Sequence, residues 1–102
     1  MSIAIVRMPA SSYRERHPQP QDIFWLIEIS NATLIKDLTI KKDLYADAGI
    51  PEYWVMNLQE SVLVIFRDLT APGYQSETRF NSGMISPLAF PDLSIDVQQL
   101  FS

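Results

Sequence analysis

Three charged residues in the middle of the chain interrupt apolar patterns: Glu28, Asp37 and Lys41. Glu28 lies near the end of "DIFWLIEIS", residues 22–30, which is otherwise almost continuously apolar. Two carboxylates and one amine at the carboxyl end of a strand suit a hard cation such as Mg²⁺ and the chemistry of phosphate groups. The same residues also suit a structural ion pair, in which Lys41 buries its stem and keeps its ammonium group in water.

The elements that must position these residues form a strand, a helix and a second strand. Residues 23–29 predict a strand covered on both faces, because its apolar run is nearly continuous. The next helix is predicted from about Leu34 to Ala48, with Gly49 and Pro51 ending it. Another strand is predicted within "PEYWVMNL", residues 51–58. This order indicates parallel strands joined by a right-handed crossover.

The predicted helix places charges in its inward face. At about 100° per residue, one arc of roughly 120° should face the sheet, with Lys41 near its middle and Asp37 within it. Lys42 falls outside the arc, as expected for an ordinary surface charge. Because the helix packs on the sheet that contains Glu28, we expect Lys41 to approach that carboxylate. The apolar members of the arc are Leu34, Leu38, Leu44, Tyr45 and Ala48.

The remaining segments predict an α/β fold with a mixed sheet and a C-terminal β-hairpin. A strand is expected at residues 2–7, followed by a long polar connection that contains His17, Arg14 and Arg16. These three residues suit either contact with DNA phosphates or a solvated loop. The hairpin is expected from "SVLVIFRDL" and "GYQSETRF" joined by "TAPG", and a short helix from "DVQQLF".

Composition indicates a single domain over residues 1–102. The chain is 47% hydrophobic and carries a net charge of −4, so any contact with DNA must be local rather than drawn by a general positive field. It has no cysteine, which excludes disulfides and thiolate metal sites. With no signal peptide or membrane span evident, a cytoplasmic location is expected.

Several segments together resemble the Uma-two family of bacterial restriction-endonuclease-like proteins, within the PD-(D/E)XK nuclease superfamily. The combination of a strand glutamate, an Asp-x-x-x-Lys helix and "AGIPEYW" is more specific than any one piece. The similar segments are "IAIVR", "RHPQPQD", "LIEIS", "TLIKDLTIKKDLYADAGIPEYWV" and "ISPLAFPDL".

The resemblance implies a restriction-endonuclease-like core of two strands, a crossover helix and a third strand. It also implies Mg²⁺-dependent or Mn²⁺-dependent cleavage of DNA. Glu28 and the backbone carbonyl of Ile29 would bind the metal, and Lys41 would position the attacking water. Asp37 would orient Lys41. Hydrolysis would proceed by attack of water on a phosphodiester, with developing charge stabilised at the phosphate oxygens.

The chain departs from the family pattern at the first carboxylate. The family's Pro-Asp pair corresponds to Met1 and Ser2, and its aspartate after "YWVV" corresponds to Asn57. We therefore expect a domain that is N-terminally truncated relative to the family and that binds its metal weakly. The alternative is a catalytically inactive relative that acts as a folded, self-associating interaction module, and a third possibility is a natural start upstream of Met1. A homo-oligomer is expected because a missing portion would expose apolar sheet surface.

Overall fold

The computed structural model of the chain describes residues 2–6, 23–30 and 35–102, with side chains for residues 23–30 and 39–102. Its elements follow the predicted order of two strands, a helix, a third strand and a hairpin. They are β1 (Ser2–Val6), β2 (Ile23–Ser30), α1 (Ile35–Asp47), β3 (Tyr53–Asn57), β4 (Val62–Thr70), β5 (Gly73–Phe80), β6 (Met84–Ile85), β7 (Ile95–Asp96) and α2 (Val97–Leu100).

Strands β1 to β5 form one mixed sheet in their order along the chain. β2 and β3 are parallel and are connected through α1, whereas the other neighbouring pairs are antiparallel. Parallel neighbours require a crossover, and α1 provides it. The predicted α/β class, the crossover helix and the hairpin of β4 and β5 are therefore confirmed, and the core is consistent with a restriction-endonuclease-like fold.

The turn after α1 sets the entry into β3. Gly49 has a φ of +80° and its amide donates to the Ala46 carbonyl, while the Ile50 amide donates to the Tyr45 carbonyl. A glycine with positive φ at this place ends a helix and satisfies its last carbonyls. Pro51 then prevents the helix from continuing. The helix end predicted at Gly49 is thus confirmed.

Two apolar clusters lie on opposite faces of the sheet. The first cluster packs against Tyr45 of α1, and the second packs against the C-terminal segment that contains α2. The alternation of side chains along β2 and β3 separates their residues between these faces. The buried members of the first are Leu26, Ile50, Tyr53, Val55, Val64 and Phe66; those of the second are Trp25, Trp54, Leu63, Ile65 and Val97.

The inward face of α1 differs from the predicted arc. Leu44 is 61% exposed and Ala48 is also exposed, so their assignment to the sheet-facing side was wrong. Lys42, predicted as an ordinary surface charge, is half-buried, with its Nζ 5.8 Å from the centre of the Phe66 ring. The helix is rotated so that Lys41, Lys42 and Tyr45 share the inward side, which leaves Leu44 on the solvent side.

The C-terminal segment contains a short pairing that the sequence did not predict. β6 and β7 form a two-stranded antiparallel sheet of their own. The predicted short helix is confirmed as α2, where the Asp96 side chain accepts a hydrogen bond from the Gln98 amide and caps the helix. Within the described ranges, no helix has the length and apolar character needed to cross a bilayer.

Candidate functional site

Glu28 lies near the carboxyl end of β2, on the face of the sheet that packs against α1. It is only 8% exposed, although it carries a charge. Its neighbour in the parallel register is Val55 of β3, and the next inward position along β2 is Leu26. A carboxylate in such surroundings requires hydrogen bonds or an opposite charge, because desolvation penalises the ionised form.

Lys41 supplies the opposite charge from the middle of α1. Its Nζ lies 3.0 Å from Oε1 of Glu28. The side chain of Glu28 is 10% exposed and that of Lys41 is 41% exposed, so the pair lies at the boundary between core and solvent. The predicted approach of Lys41 to Glu28 is confirmed. The pair therefore combines a nearly buried carboxylate with an ammonium group that reaches water.

Tyr45 lies one helical turn after Lys41 and packs against the first apolar cluster. Burial raises the pKa of the Tyr45 phenol; the Glu28 charge raises it further, whereas the Lys41 charge lowers it. The Tyr45 ring packs on Tyr53 with 4.9 Å between ring centres. Burial, and then the Glu28 charge, also raise the pKa of Tyr53. Both phenols are therefore neutral at ordinary pH.

A second buried carboxylate, Glu52, lies on the opposite face of the sheet. It is 0% exposed and accepts hydrogen bonds from Nε1 of Trp54 at 2.6 Å, from Nε of Arg67 at 2.5 Å and from the Leu88 amide at 2.7 Å. Arg67 also donates to the Ser86 carbonyl. We call these residues the Glu52 cluster. The Glu52 carboxylate oxygens are surrounded by protein donors. The cluster therefore links the sheet to the C-terminal segment.

The Glu52 cluster escaped the sequence analysis, which treated Glu52 only as part of the "AGIPEYW" segment. One signal was present, because strand alternation places Glu52 on the same side as Trp54, a residue expected in the core. The partner Arg67 comes from β4, and nothing in local spacing identifies it.

Two of the other predicted site residues, Ile29 and Asp37, lie close in sequence to Glu28 and Lys41. Ile29 follows Glu28 in β2 and is half-buried, opposite Met56 in the parallel register. Asp37 belongs to α1, one turn before Lys41, but its side chain lies outside the described part. The connection that holds His17, Arg14 and Arg16 lies outside the described residues as well.

Strand register places position 2 opposite Glu28. Ser2 is the Cα partner of Glu28 in the antiparallel pairing of β1 with β2. Directly opposed residues of antiparallel strands place their side-chain bonds on the same face of the sheet, with Cβ atoms about 5 Å apart. Position 2 is therefore the backbone neighbour of Glu28 across β1 and β2. At Asn57, the side chain accepts hydrogen bonds from the Gln59 and Glu60 amides and thereby supports the turn after β3.

A comparison with protein-family models matches residues 3–98 to the Uma2 (Uma-two) model, described as "Putative restriction endonuclease". The match covers nearly the whole chain. The chain belongs to the Uma2 family. No curated protein matches it. Membership of Uma2 confirms the family indicated by the sequence and supports a nuclease-like function at the level of the family.

The resemblance described in the sequence analysis implies a divalent cation, and the oxygen donors around Glu28 are compatible with one. Among the side chains that the structure describes, no group of three or more His, Cys, Asp or Glu is arranged to hold a metal. Mg²⁺, however, commonly binds through one or two carboxylates and retains several waters. Glu28 and the neighbouring carbonyl of Ile29 are oxygen donors of the kind that Mg²⁺ and Mn²⁺ prefer. They fit a cation held by few protein ligands.

Proposed function

We propose that this Uma2 protein is a metal-dependent endonuclease that hydrolyses phosphodiester bonds of DNA in the cytoplasm. The acting side chains are Glu28 and Lys41, supported by Asp37. The observation that carries the proposal is the 3.0 Å contact between Lys41 and Glu28 at the carboxyl end of a parallel strand. In open α/β sheets, ligands bind outside the carboxyl ends of the strands.

Exposure distinguishes the Glu28–Lys41 pair from the Glu52 cluster. The Glu52 carboxylate accepts three hydrogen bonds inside the protein and is fully buried. Lys41, in contrast, is 41% exposed on its side chain, so a substrate phosphate can approach the ammonium group from solvent. The solvent-exposed side of the Glu28–Lys41 pair favours a role in binding a ligand.

Each residue has a defined task in the proposed hydrolysis. Glu28 and the Ile29 carbonyl would hold Mg²⁺ or Mn²⁺, which supplies a Lewis acid that polarises the phosphate and acidifies water. Lys41 would hold the attacking water by a hydrogen bond and place its positive charge beside the developing negative charge of the phosphate. Asp37 would orient Lys41. Water then adds to phosphorus as the bond to the leaving sugar oxygen breaks.

The proposal predicts that Glu28→Gln removes metal binding without unfolding the protein. We expect measurable heat on titration of the unaltered chain with Mn²⁺ and an affinity lower by at least about tenfold in Glu28→Gln, because the amide lacks the charge that a hard cation requires. Glu60→Gln is the control, since Glu60 is exposed and follows β3 in a turn. Equal affinities of the two variants would contradict the role of Glu28.

The second candidate function is a noncatalytic interaction module that self-associates. It is favoured by large apolar side chains that are exposed among the described residues, including Leu44 at 61% and Met84 at 60%. Exposed apolar area favours association. Leu44 lies on α1 and Met84 lies in the C-terminal segment, so neither belongs to the central strands of the sheet.

The module hypothesis predicts a concentration-dependent dimer in sedimentation velocity. We expect the average sedimentation coefficient of the unaltered chain to rise between micromolar and hundred-micromolar concentration, because burial of exposed apolar side chains favours the associated form. Sedimentation as one monomeric species across that range would leave the interaction module without support. The endonuclease proposal would be unaffected.

A further inference from the structure

Arg79 differs from the other basic residues whose side chains the structure describes. Four such residues lie in the described part of the chain. Lys41 and Arg67 each form an ion pair with a buried carboxylate, and Lys42 lies over an aromatic ring. Arg79 is exposed and makes no ion pair with any described residue. Its guanidinium group is therefore open to an anion from solution.

Strand register places Arg79 in the same row of the sheet as Glu28. Four residues are consecutive Cα partners across β2, β3, β4 and β5, namely Glu28, Val55, Val64 and Arg79. Directly opposed residues share a face of the sheet, and both valines belong to the first apolar cluster, which packs against α1. Arg79 therefore projects from the face that holds Glu28. Three strand spacings, about 14 Å in all, separate the two residues.

Arg79 also lies at the same edge of the sheet as Glu28. β5 is antiparallel to β4, and β4 is antiparallel to β3, so β5 runs in the same direction as β3 and β2. Arg79 is the next-to-last residue of β5, and Glu28 lies two residues before the end of β2. Ligands of open α/β sheets bind outside the carboxyl ends of the strands. An extended ligand on the Glu28–Lys41 pair can therefore follow this edge as far as Arg79.

DNA is an extended ligand whose charges recur along its length. Each strand of a duplex carries a phosphate for about every 3.4 Å of the helix axis, so a duplex with one phosphate beside Lys41 presents others about 14 Å away. The guanidinium group is planar and permanently charged, and it forms paired hydrogen bonds with phosphate oxygens. Because the chain has a net charge of −4, attraction to DNA must come from local cations.

We propose that Arg79 binds a backbone phosphate of DNA outside the cleaved bond and thereby positions the duplex on the Glu28–Lys41 pair. This inference rests on the proposed function. Phosphate contacts fix the register of a duplex but carry no base information, so Arg79 contributes affinity for DNA of any sequence. Glu77, the other charged residue of β5, is exposed on the same face two positions earlier. It lies on the amino side of Arg79, away from the edge where the phosphate approaches.

The test is binding of a short fluorescent DNA duplex, measured by anisotropy without divalent cation so that the duplex stays intact. The salt concentration is varied between about 50 mM and 200 mM. We expect Arg79→Gln to lower the affinity about tenfold at the lower salt concentration and to reduce the slope of log affinity against log salt by about 1. The loss should be equal for duplexes of different sequence. An unchanged affinity and slope would overturn the inference.

Strand alternation offers a matched control at the adjacent position. Thr78 is exposed too, but its Cα partner Ile65 belongs to the second apolar cluster, so Thr78 projects from the opposite face. The double variant Arg79→Thr/Thr78→Arg keeps the composition and the net charge and moves the guanidinium group to that face. We expect it to bind DNA as weakly as Arg79→Gln. Binding as tight as that of the unaltered chain would show that only total charge matters, which would overturn the inference.

Titration with Mn²⁺ separates this inference from the proposed function. If Arg79→Gln binds DNA normally while Glu28→Gln loses Mn²⁺ affinity, the metal site stands and the phosphate contact is overturned. If Arg79→Gln loses DNA affinity while Glu28→Gln keeps its Mn²⁺ affinity, the phosphate contact stands and the metal-dependent reaction fails. An unaltered chain that binds no DNA would overturn both. Selective loss of DNA affinity in Arg79→Gln and of Mn²⁺ affinity in Glu28→Gln supports both.

Discussion

Glu52→Gln is expected to lower the free energy of unfolding by about 3 kcal/mol, a large fraction of the stability of a domain of this size. The substitution leaves the Arg67 guanidinium without its carboxylate, although the Arg67 side chain is only 22% exposed. It also places an amide nitrogen where three donors now converge on carboxylate oxygens. At least one of those donors would lose its partner, and an unsatisfied buried donor is costly.

Urea unfolding measures this effect, with Glu60→Gln as the matched control. Both changes replace a glutamate by its amide, but Glu60 is exposed, and we expect its variant to differ from the unaltered chain by less than about 0.5 kcal/mol. The double variant Glu52→Gln/Arg67→Met should recover part of the loss, because it removes the uncompensated charge. Equal unfolding midpoints for Glu52→Gln and Glu60→Gln would show that the Glu52 cluster does not stabilise the fold.

The two buried carboxylates lie on opposite faces of the sheet and differ in how far their cationic partners are exposed. Glu52 ties the C-terminal segment to the strands through the Leu88 amide and through Arg67, which also bonds the Ser86 carbonyl. Glu28 faces α1, and its cationic partner remains partly in solvent. A closed cluster has no position for a ligand. The Glu28–Lys41 pair can therefore exchange protein contacts for contacts with a ligand at a smaller cost in stability than the Glu52 cluster can.

The crossover from β2 through α1 to β3 was predictable because the residue pattern of each segment indicates the element that it forms. β2 reads as a continuous apolar run, and Gly49 and Pro51 end α1 before β3 begins. The exact rotation of α1 was not predictable, since Leu44 and Tyr45 both suit an inward arc. Packing of the Tyr45 ring on Tyr53 decides between them in the structure, and Leu44 is left exposed. The pairing of β6 with β7 was missed because two-residue strands carry no periodic signal.

The candidate site was partly predictable because its two charged residues stand out in apolar surroundings. Glu28 and Lys41 each contradict the pattern of the element that holds them, and pairing resolves both contradictions. The Glu52 cluster required knowledge of how β4 and the C-terminal segment meet β3, which is a tertiary property.

An acidic neighbour of Glu28 should strengthen the proposed cation site, and strand register identifies position 2 as the place for it. Ser2→Asp would add a carboxylate opposite Glu28 across β1 and β2. Proteins usually bind Mg²⁺ through one or two carboxylates, and this variant would supply two. In Mn²⁺ titration we expect this variant to bind at least about tenfold more tightly than the unaltered chain. Ser2→Asn, which has similar size without charge, is the control.

The last expected result concerns Lys41, tested in the Ser2→Asp background with nicking of supercoiled plasmid DNA. We expect Lys41→Met to lower the cleavage rate by about 100-fold, because the variant loses both the hydrogen bond to the attacking water and the charge near the phosphate. Lys42→Met is the matched control: Lys42 is the adjacent residue of α1, but its Nζ lies over the Phe66 ring. It should retain the rate within about threefold. Equal rates for the Lys41 and Lys42 variants would exclude Lys41 from the reaction, since both remove one positive charge from the same helix.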